Sequence, residues 1–269
     1  MITVLGASGF IGSHIASECV RQKLSSQSPL RHEIPDAING DLGDVIYCLG
    51  LTADFRTKPL ATSEAHVGIL TQILKSGRFN SLLYLSSTRV YEGAESTTEE
   101  SWLKVNPNTP EHIFNLTKLA GEACCLAQDN PNIRIARVSN VLGDDYKSNN
   151  FLFSVIREIL RKDEVELRTT PDSAKDYIWI DDVVDLLLKI ARGGRHRLYN
   201  VASGINVTNE KWMNEISLLT GARIRYADSA EKKVFQIIST QRITEEFKYN
   251  PTDVLPKLST LIEEMRLRQ

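Results

Sequence analysis

Four cysteines in 269 residues, Cys19, Cys48, Cys124 and Cys125, are too few and too irregularly spaced for a disulfide scaffold or a zinc site. They fit a reduced, cytoplasmic setting. The five histidines, His14, His32, His66, His112 and His196, show no ligand spacing either, so no metal centre is expected. No apolar run approaches the roughly 20 residues that span a bilayer, and a strand-like run follows Met1 at once, leaving no place for a signal segment. An excess of one charge is also missing: 32 Lys and Arg against 34 Asp and Glu give a net charge of −2 at pH 7. With Trp102, Trp179 and Trp212 far apart and no basic–aromatic interleaving, nothing supports nucleic-acid binding. No repeat or low-complexity segment occurs. The remainder is an ordinary soluble composition, 42% hydrophobic, on a chain long enough to bury a sizeable core.

What is present is alternation. A short β-branched run, Ile2–Leu5, precedes GASGFIGSHIASECV, in which apolar residues recur at helical spacing to about residue 24. Residues 24–41 carry two prolines and little periodicity where a doubly wound fold would place a second strand and helix. Residues 44–50 and Ser81–Ser87 read as buried strands, 57–76 and 111–129 as helices, and 132–143 as a strand running into a loop. Helix at 150–161, strand at 164–167 and helix at 180–192 follow, then RLYNVASG, a helix at Asn209–Thr220, and a tail with a short helix, a proline-marked turn and a closing amphipathic helix. Strands alternating with helices predict an α/β fold with a mostly parallel, doubly wound sheet. Residues 1–140 are expected to form the dinucleotide-binding domain with a shortened second β–α unit. Residues 141–269 are expected to form mostly a substrate lobe, with about 175–200 returning to the first domain.

Gly6, Gly9 and Gly12 stand as GASGFIG between the first strand and first helix. Glycines there allow a tight turn and close approach of a pyrophosphate, whose charge suits a helix N-terminus. The spacing is one residue wider at its start than the common dinucleotide fingerprint. An acid about 20 residues further on would meet the adenine ribose; that region offers Arg31, suited to a 2′-phosphate, and Glu33, suited to a free hydroxyl. The choice between NAD and NADP stays open. Asp41 meets the adenine edge or simply caps a turn. Ser86, Ser87 and Thr88 lie just past a buried strand, where parallel sheets hold ligands. Lys118, four residues after Phe114 on a helix, has the charge to bond a ribose and lower the pKa of a nearby acid.

These pieces, with LLYLSSTRVYE, FNLTKLAGE, RVSNVLGDD, KDYIWIDDVVD, LYNVASG and EEFKYNP in the same order, resemble the NAD-dependent epimerase/dehydratase family of extended short-chain dehydrogenase/reductases, which act on nucleotide sugars. The resemblance spans nearly the whole chain. It implies a Rossmann-type domain with a small C-terminal lobe, and cofactor contacts at Gly6, Ser8, Gly9, Phe10, Ile11, Gly12, Arg31, Asp41, Leu42, Leu49 and Lys118. It places the substrate-orienting hydroxyl on Ser87, the active-site lysine on Lys118, and the acid–base tyrosine on Phe114. A phenyl ring has no titratable proton. Thr88 and Arg89 replace the Asp–Glu pair of the 4,6-dehydratases, so an epimerase or ketoreductase is favoured over a dehydratase; Ala65 replaces a frequent Asn, a further departure from the family's usual catalysis. Thr88, Asn140, Lys175 and Arg242 are the implied substrate contacts, with Arg242 equally a surface ion-pair residue; Asp176, Asp181 and Asp182 read as structural.

Several explanations of Phe114 stand side by side. It is an engineered change; or another group, such as Tyr91, Ser87, a water or the substrate, moves the proton; or the protein binds NAD(P) or a nucleotide sugar without turnover; or the scaffold runs a different reaction. Family members often dimerise through two helices, here about 60–76 and 111–129, so a homodimer is an expectation.

Overall fold

The computed structural model describes residues 1–51 and 54–268. The chain opens with β1 (Ile2–Leu5), four buried residues, and turns through the glycines into α1 (Phe10–Arg21). After β2 (Ser26–Gln27), α2 (Ile34–Ala37) and β3 (Asp44–Tyr47) comes a helical stretch in three parts: α3 (Pro59–Ser63), one π-helical turn (Glu64–Gly68) and α4 (Ile69–Ser76). Then β4 (Ser81–Ser87), α5 (Ile113–Leu126) and β5 (Ile133–Val138) follow. The later elements are β6 (Asn140–Leu142), α6 (Phe151–Lys162), β7 (Glu164–Thr169), β8 (Ala174–Trp179), α7 (Ile180–Gly193), β9 (Leu198–Val201), β10 (Asn206–Thr208), α8 (Asn209–Thr220), β11 (Arg223–Glu231), α9 (Gln241–Phe247) and α10 (Leu258–Arg266).

Six strands form one all-parallel sheet in the order β2-β1-β3-β4-β5-β9. Uninterrupted apolar runs suit such strands, because helices cover both faces. Ile15 of α1 and Leu186 and Leu187 of α7 pack on one face with Val4, Ile46 and Leu83; Ile34, Leu70, Ile73 and Cys125 pack on the other with Val45 and Leu82. Each such side chain contributes about 1.5–3 kcal/mol by leaving water. Strand order reverses between β1 and β3, which opens a crevice at their carboxyl ends. A second core gathers Phe153 and Ile156 of α6, Trp212 of α8, and Leu258 and Leu261 of α10 into the smaller lobe. Its sheets are β10-β8-β6, with β10 antiparallel to β8, and the parallel pair β11-β7.

Where the second β–α unit should be, residues 24–41 keep only a two-residue strand paired with Ile2 and Thr3 and a one-turn helix behind Pro35. Residues 132–143, expected as a strand running into a loop, hold β5 and then β6, which leaves the large sheet and pairs with β8. Strand β8 and the nine-residue β11 were not expected as strands. Arg242 lies beside α7 and β9 rather than in the small lobe, since Ile243 is fully buried in the main core.

No helix of the described residues is long and apolar enough to cross a membrane, and among them no cluster of His, Cys, Asp and Glu is arranged to hold a metal ion.

Candidate functional site

The glycine turn is built for close approach. Gly6 has φ +90°, which an L side chain rarely adopts, and a Cβ there would press on the Cys48 carbonyl and the Leu49 N–H at 3.0–3.1 Å. Gly12 is buried, and a Cβ on it would collide with the Gly6 carbonyl oxygen. Gly9 N–H donates to Gly6 O (3.0 Å), and Ser13 N–H to Gly9 O (2.9 Å), so the turn passes directly into α1. No acidic residue stands in the first turn of α1 and no side chain caps it, leaving its N–H groups free for an anion. Ser8 and Gly9 are exposed on the rim, while Phe10 and Ile11 are half-buried beneath it.

Along the crevice, the next side chain to reach the strand ends is Lys118. Its Nζ donates to Leu85 O (2.7 Å), and the residue is 5% exposed. Burial pulls its pKa down to about 7. His66 is fully buried beside it: Nε2 and the Lys118 Nζ lie 3.1 and 3.4 Å from the point where a Cβ on the exposed Gly50 would stand. The π-helical turn carries His66, and its spare carbonyls are taken by tyrosines, Tyr47 Oη donating to Ala65 O (2.7 Å) and Tyr84 Oη to His66 O (3.2 Å). Gly121 of α5 makes room for the second of these, because a Cβ there would meet Tyr84 Oη.

Phe114 is buried one turn before Lys118, against Phe55 and edge-on to His66, both at 5.3 Å between ring centres. The Arg89 guanidinium sits 5.7 Å from its ring. Ser87 ends β4; its Oγ accepts from Arg89 N–H (3.2 Å) and the residue is half-buried. Tyr91, weighed as a substitute acid, is committed elsewhere. Its hydroxyl accepts from Arg137 (2.7 Å) and donates to Asn200 Oδ1 (2.8 Å), and burial raises its pKa. A phenol so bonded is a structural strut.

Beyond Ser87 opens a cleft of about 680 Å³, lined among others by Thr88, Arg89, Asn140, Lys175 and Lys233. Lys175 sits between the Phe151 and Phe235 rings (5.9 and 5.4 Å), and burial lowers its pKa. Asn140 donates to the Asp176 carbonyl (2.8 Å). The Asp176 carboxylate is consumed by Ser203, Gly204 and Ile205, so the cleft is left cationic.

Three candidates fall outside this arrangement. Arg242 pairs with Glu99 (3.7 Å) and Glu100 and donates to Leu198 O (2.8 Å), the ion-pair arrangement weighed for it in the sequence. Leu42 has a fully buried side chain, its N–H bonded to Arg78 O and its carbonyl to Thr3 Oγ1; no group of it is left for a cofactor. Asp41 caps its own turn through Gly43 N–H (2.9 Å). Leu49 stays at the crevice through its backbone, against Gly6. Arg31 is exposed with no ion-pair partner among the described residues, whereas Glu33 accepts from Leu30 N–H (2.7 Å). Asp182, which accepts from Tyr249 and Thr252, is structural as expected. Gly50 and Lys233 went unassigned in the sequence, where His66 was singled out only because its helix is expected to face the cofactor.

The lysine gives the protein a pH signature. Folded Lys118 releases its proton near pH 7, but in the unfolded chain it holds it to 10.5. Between these values the unfolded state binds more protons, so stability rises with pH. The buried thiols of Cys48 and Cys125, pushed from 9.0 to about 12, oppose this above pH 9. From pH 7 to 9 the gain should be about 2 kcal/mol. In urea melts, Lys118→Met should flatten that slope; equal slopes in both proteins would rule out the buried lysine as its source.

A model of the NAD dependent epimerase/dehydratase family matches residues 2–202. No curated protein matches the chain. Among solved structures it is similar to MoeE5 in complex with UDP-glucose and NAD, at 22% identity over 99% of each chain with a TM-score of 0.81. It is similar to RMD from Pseudomonas aeruginosa complexed with NADPH, at 22% over 99% of each chain and 0.79. TunA, a NAD dependent NDP-hexosamine 5,6-dehydratase of tunicamycin biosynthesis, superposes at 0.83 with 17% identity, covering 100% of this chain and 98% of that one. At these identities the likeness establishes the Rossmann-type fold with its C-terminal lobe.

Proposed function

The chain belongs to the NAD dependent epimerase/dehydratase family, and from that premise we propose an NAD(P)-dependent epimerase or ketoreductase of nucleotide sugars with an atypical acid–base set. The observation that carries this reading is the alignment, along one crevice, of a phosphate turn free of side chains, the desolvated Lys118 and the cationic cleft past Ser87. A dinucleotide fits that line: positions where a Cβ would intrude are glycines, and the uncapped N–H groups of α1 would be the donors to its pyrophosphate. When bound, the nicotinamide supplies a hydride acceptor or donor. The chain's own residues do the rest. Lys118 holds the ribose, Ser87 orients a sugar oxygen, and Lys175 and Lys233 with Asn140 hold the diphosphate. Lysine binds phosphate as a point charge without a bidentate fork, so the grip is looser than an arginine's. Glu33 is already engaged and Arg31 is free, which favours a 2′-phosphate on the cofactor.

The test is a titration of folded protein with NAD and NADP, followed by a panel of nucleotide sugars while the absorbance of the bound nicotinamide is read. Uptake of a cofactor and a sugar-dependent change are expected. Failure to take up either cofactor overturns the proposal. A second reading, binding without turnover, is favoured by Phe114 alone; it predicts uptake with no absorbance change across the panel. A homodimer across the helices bearing the exposed Leu60 and Leu126 is the proposed assembly.

A further inference from the structure

Two guanidiniums crowd one phenyl ring at the Ser87 end of the cleft. The Arg56 Cζ lies 4.4 Å from the centre of the Phe55 ring, and the Arg89 Cζ lies 5.0 Å from the same point. Arg89 also reaches Phe114, at 5.7 Å, the position that the resemblance gives to the acid–base tyrosine. Both side chains line the cleft with Ser87 and Thr88, and neither is sealed in the core: Arg56 is exposed, and the Arg89 side chain is 29% exposed.

The chain itself does little to balance this charge. The ion-pair partner of Arg89 among the described residues is Glu92, 3.7 Å from Nε, and that carboxylate is exposed and shared with Asn115 Nδ2 (3.4 Å). Arg56 has no ion pair among the described residues. Burial, and behind it the charge of Arg56, pulls the Arg89 pKa down against the opposing influence of Glu92. The remaining cations of the cleft have other partners: Lys175 and Lys233 are assigned above to the diphosphate, and Lys232 pairs with Asp172 (2.5 Å). A sugar bearing only hydroxyls would strip water from Arg89 and Arg56 and return no opposite charge.

We propose that Arg89 and Arg56 select a nucleotide sugar whose sugar carries its own carboxylate, a nucleoside diphosphate uronic acid, with Arg89 gripping the carboxylate and Arg56 adding charge from the rim. The inference rests on the nucleotide-sugar reading above and narrows its substrate. A planar guanidinium fork matches two coplanar carboxylate oxygens. The turn places this anion on the sugar rather than on the diphosphate: Arg89 N–H donates to Ser87 Oγ (3.2 Å), so its side chain leaves the same turn as the hydroxyl that orients the sugar oxygen. By the resemblance, the 4,6-dehydratases carry an acid at position 89; the reversed charge distinguishes this chain from them.

Calorimetry tests the selection on protein loaded with the reduced form of whichever cofactor it takes up, which cannot oxidise a sugar during the titration. Three matched pairs are compared: UDP-glucose with UDP-glucuronic acid, dTDP-glucose with dTDP-glucuronic acid, and GDP-mannose with GDP-mannuronic acid. On the base that binds, wild type should favour the uronic acid by about 10-fold, the lower end for hydrogen bonds to a charged group. Arg89→Met, which keeps a stem against both rings and removes the fork, should bring that ratio near unity. Arg89→Lys, a charge without the fork, should retain part of it. Arg56→Gln should lower the ratio by about 2- to 5-fold, as for an exposed pair. Lys232→Met removes a cation from the same cleft and should leave the ratio as it is, which separates a specific grip from the cleft's general potential. A wild-type ratio at or below unity overturns the selection and leaves the nucleotide-sugar reading intact, as does a Lys232→Met ratio that falls as far as that of Arg89→Met. A preference for UDP-6-deoxy-6-sulfoglucose over UDP-glucose, unaccompanied by one for UDP-glucuronic acid, also overturns the carboxylate. Failure to bind any of the six nucleotide sugars overturns both readings. Should Arg89→Met fail to fold, the wild-type ratio and the exposed Arg56→Gln decide.

Discussion

Phe114→Tyr should raise turnover of a nucleotide-sugar substrate by about 10²–10⁴-fold, the usual worth of a positioned proton-transfer group, or about 3–5 kcal/mol of barrier. Residue 114 sits on α5 one turn before Lys118, and a helix brings such residues to one face. A phenol at 114 would stand close to the Arg89 guanidinium, 5.7 Å from the ring, and to Lys118 where it is protonated, and such charge stabilises the phenolate and draws its pKa down. The substitution adds a single oxygen to a ring already in place between Phe55, His66 and Arg89, so the fold should tolerate it. Affinity for the cofactor should change little, because the glycine turn and Lys118 are untouched. Initial rates against nicotinamide absorbance, at saturating cofactor, measure the effect as kcat. A folded variant with the parent's cofactor affinity and unaltered kcat would show that proton delivery does not pass through position 114.

How much of this could be seen in the sequence depended on what each residue's neighbours do. SLLYLSS, four consecutive apolar residues between serines, gives β4 to the residue; the α8 boundaries, Asn209–Thr220, were equally plain, with Thr208 capping one end and Gly221 in the left-handed region at the other. The glycine turn was legible because its spacing reports a backbone requirement. Strand β8 was hidden because Lys175 and Asp176 interrupt its apolar pattern, and β11 because much of it is exposed and charged. Side-chain commitments were invisible. Tyr91, Leu42 and Arg242 occupy motif positions, yet their polar groups are claimed by Arg137, Arg78 and Glu99, all distant in sequence.

The largest stability effect is expected at the ion pair behind the site. Arg137 of β5 and Glu122 of α5 are both almost wholly buried, joined at 2.7 Å between Nη2 and Oε2 and at 3.0 Å through Nε. Glu122 also accepts from Ser86 Oγ (2.5 Å), and Arg137 passes the network to Tyr91 and the Glu99 carbonyl. Truncating Glu122 to Ala leaves a guanidinium in the core with only neutral acceptors. The loss of one partner of such a pair costs about 3–5 kcal/mol, a large share of the 5–15 kcal/mol that holds an ordinary domain together. The pair itself is worth far less than that figure, because both ions were stripped of water to form it. Replacing both residues together, as in Glu122→Leu with Arg137→Met, should therefore recover most of the stability in urea unfolding, and could exceed the parent. Turnover in the double variant should still fall, since Tyr91 loses the donor that holds it, and the 88–91 turn bearing Thr88 and Arg89 then shifts at the cleft wall. A single Glu122→Ala variant that unfolds at the parent's urea midpoint would mean that Tyr91 and the Glu99 carbonyl suffice for Arg137, and that the carboxylate is dispensable to the fold.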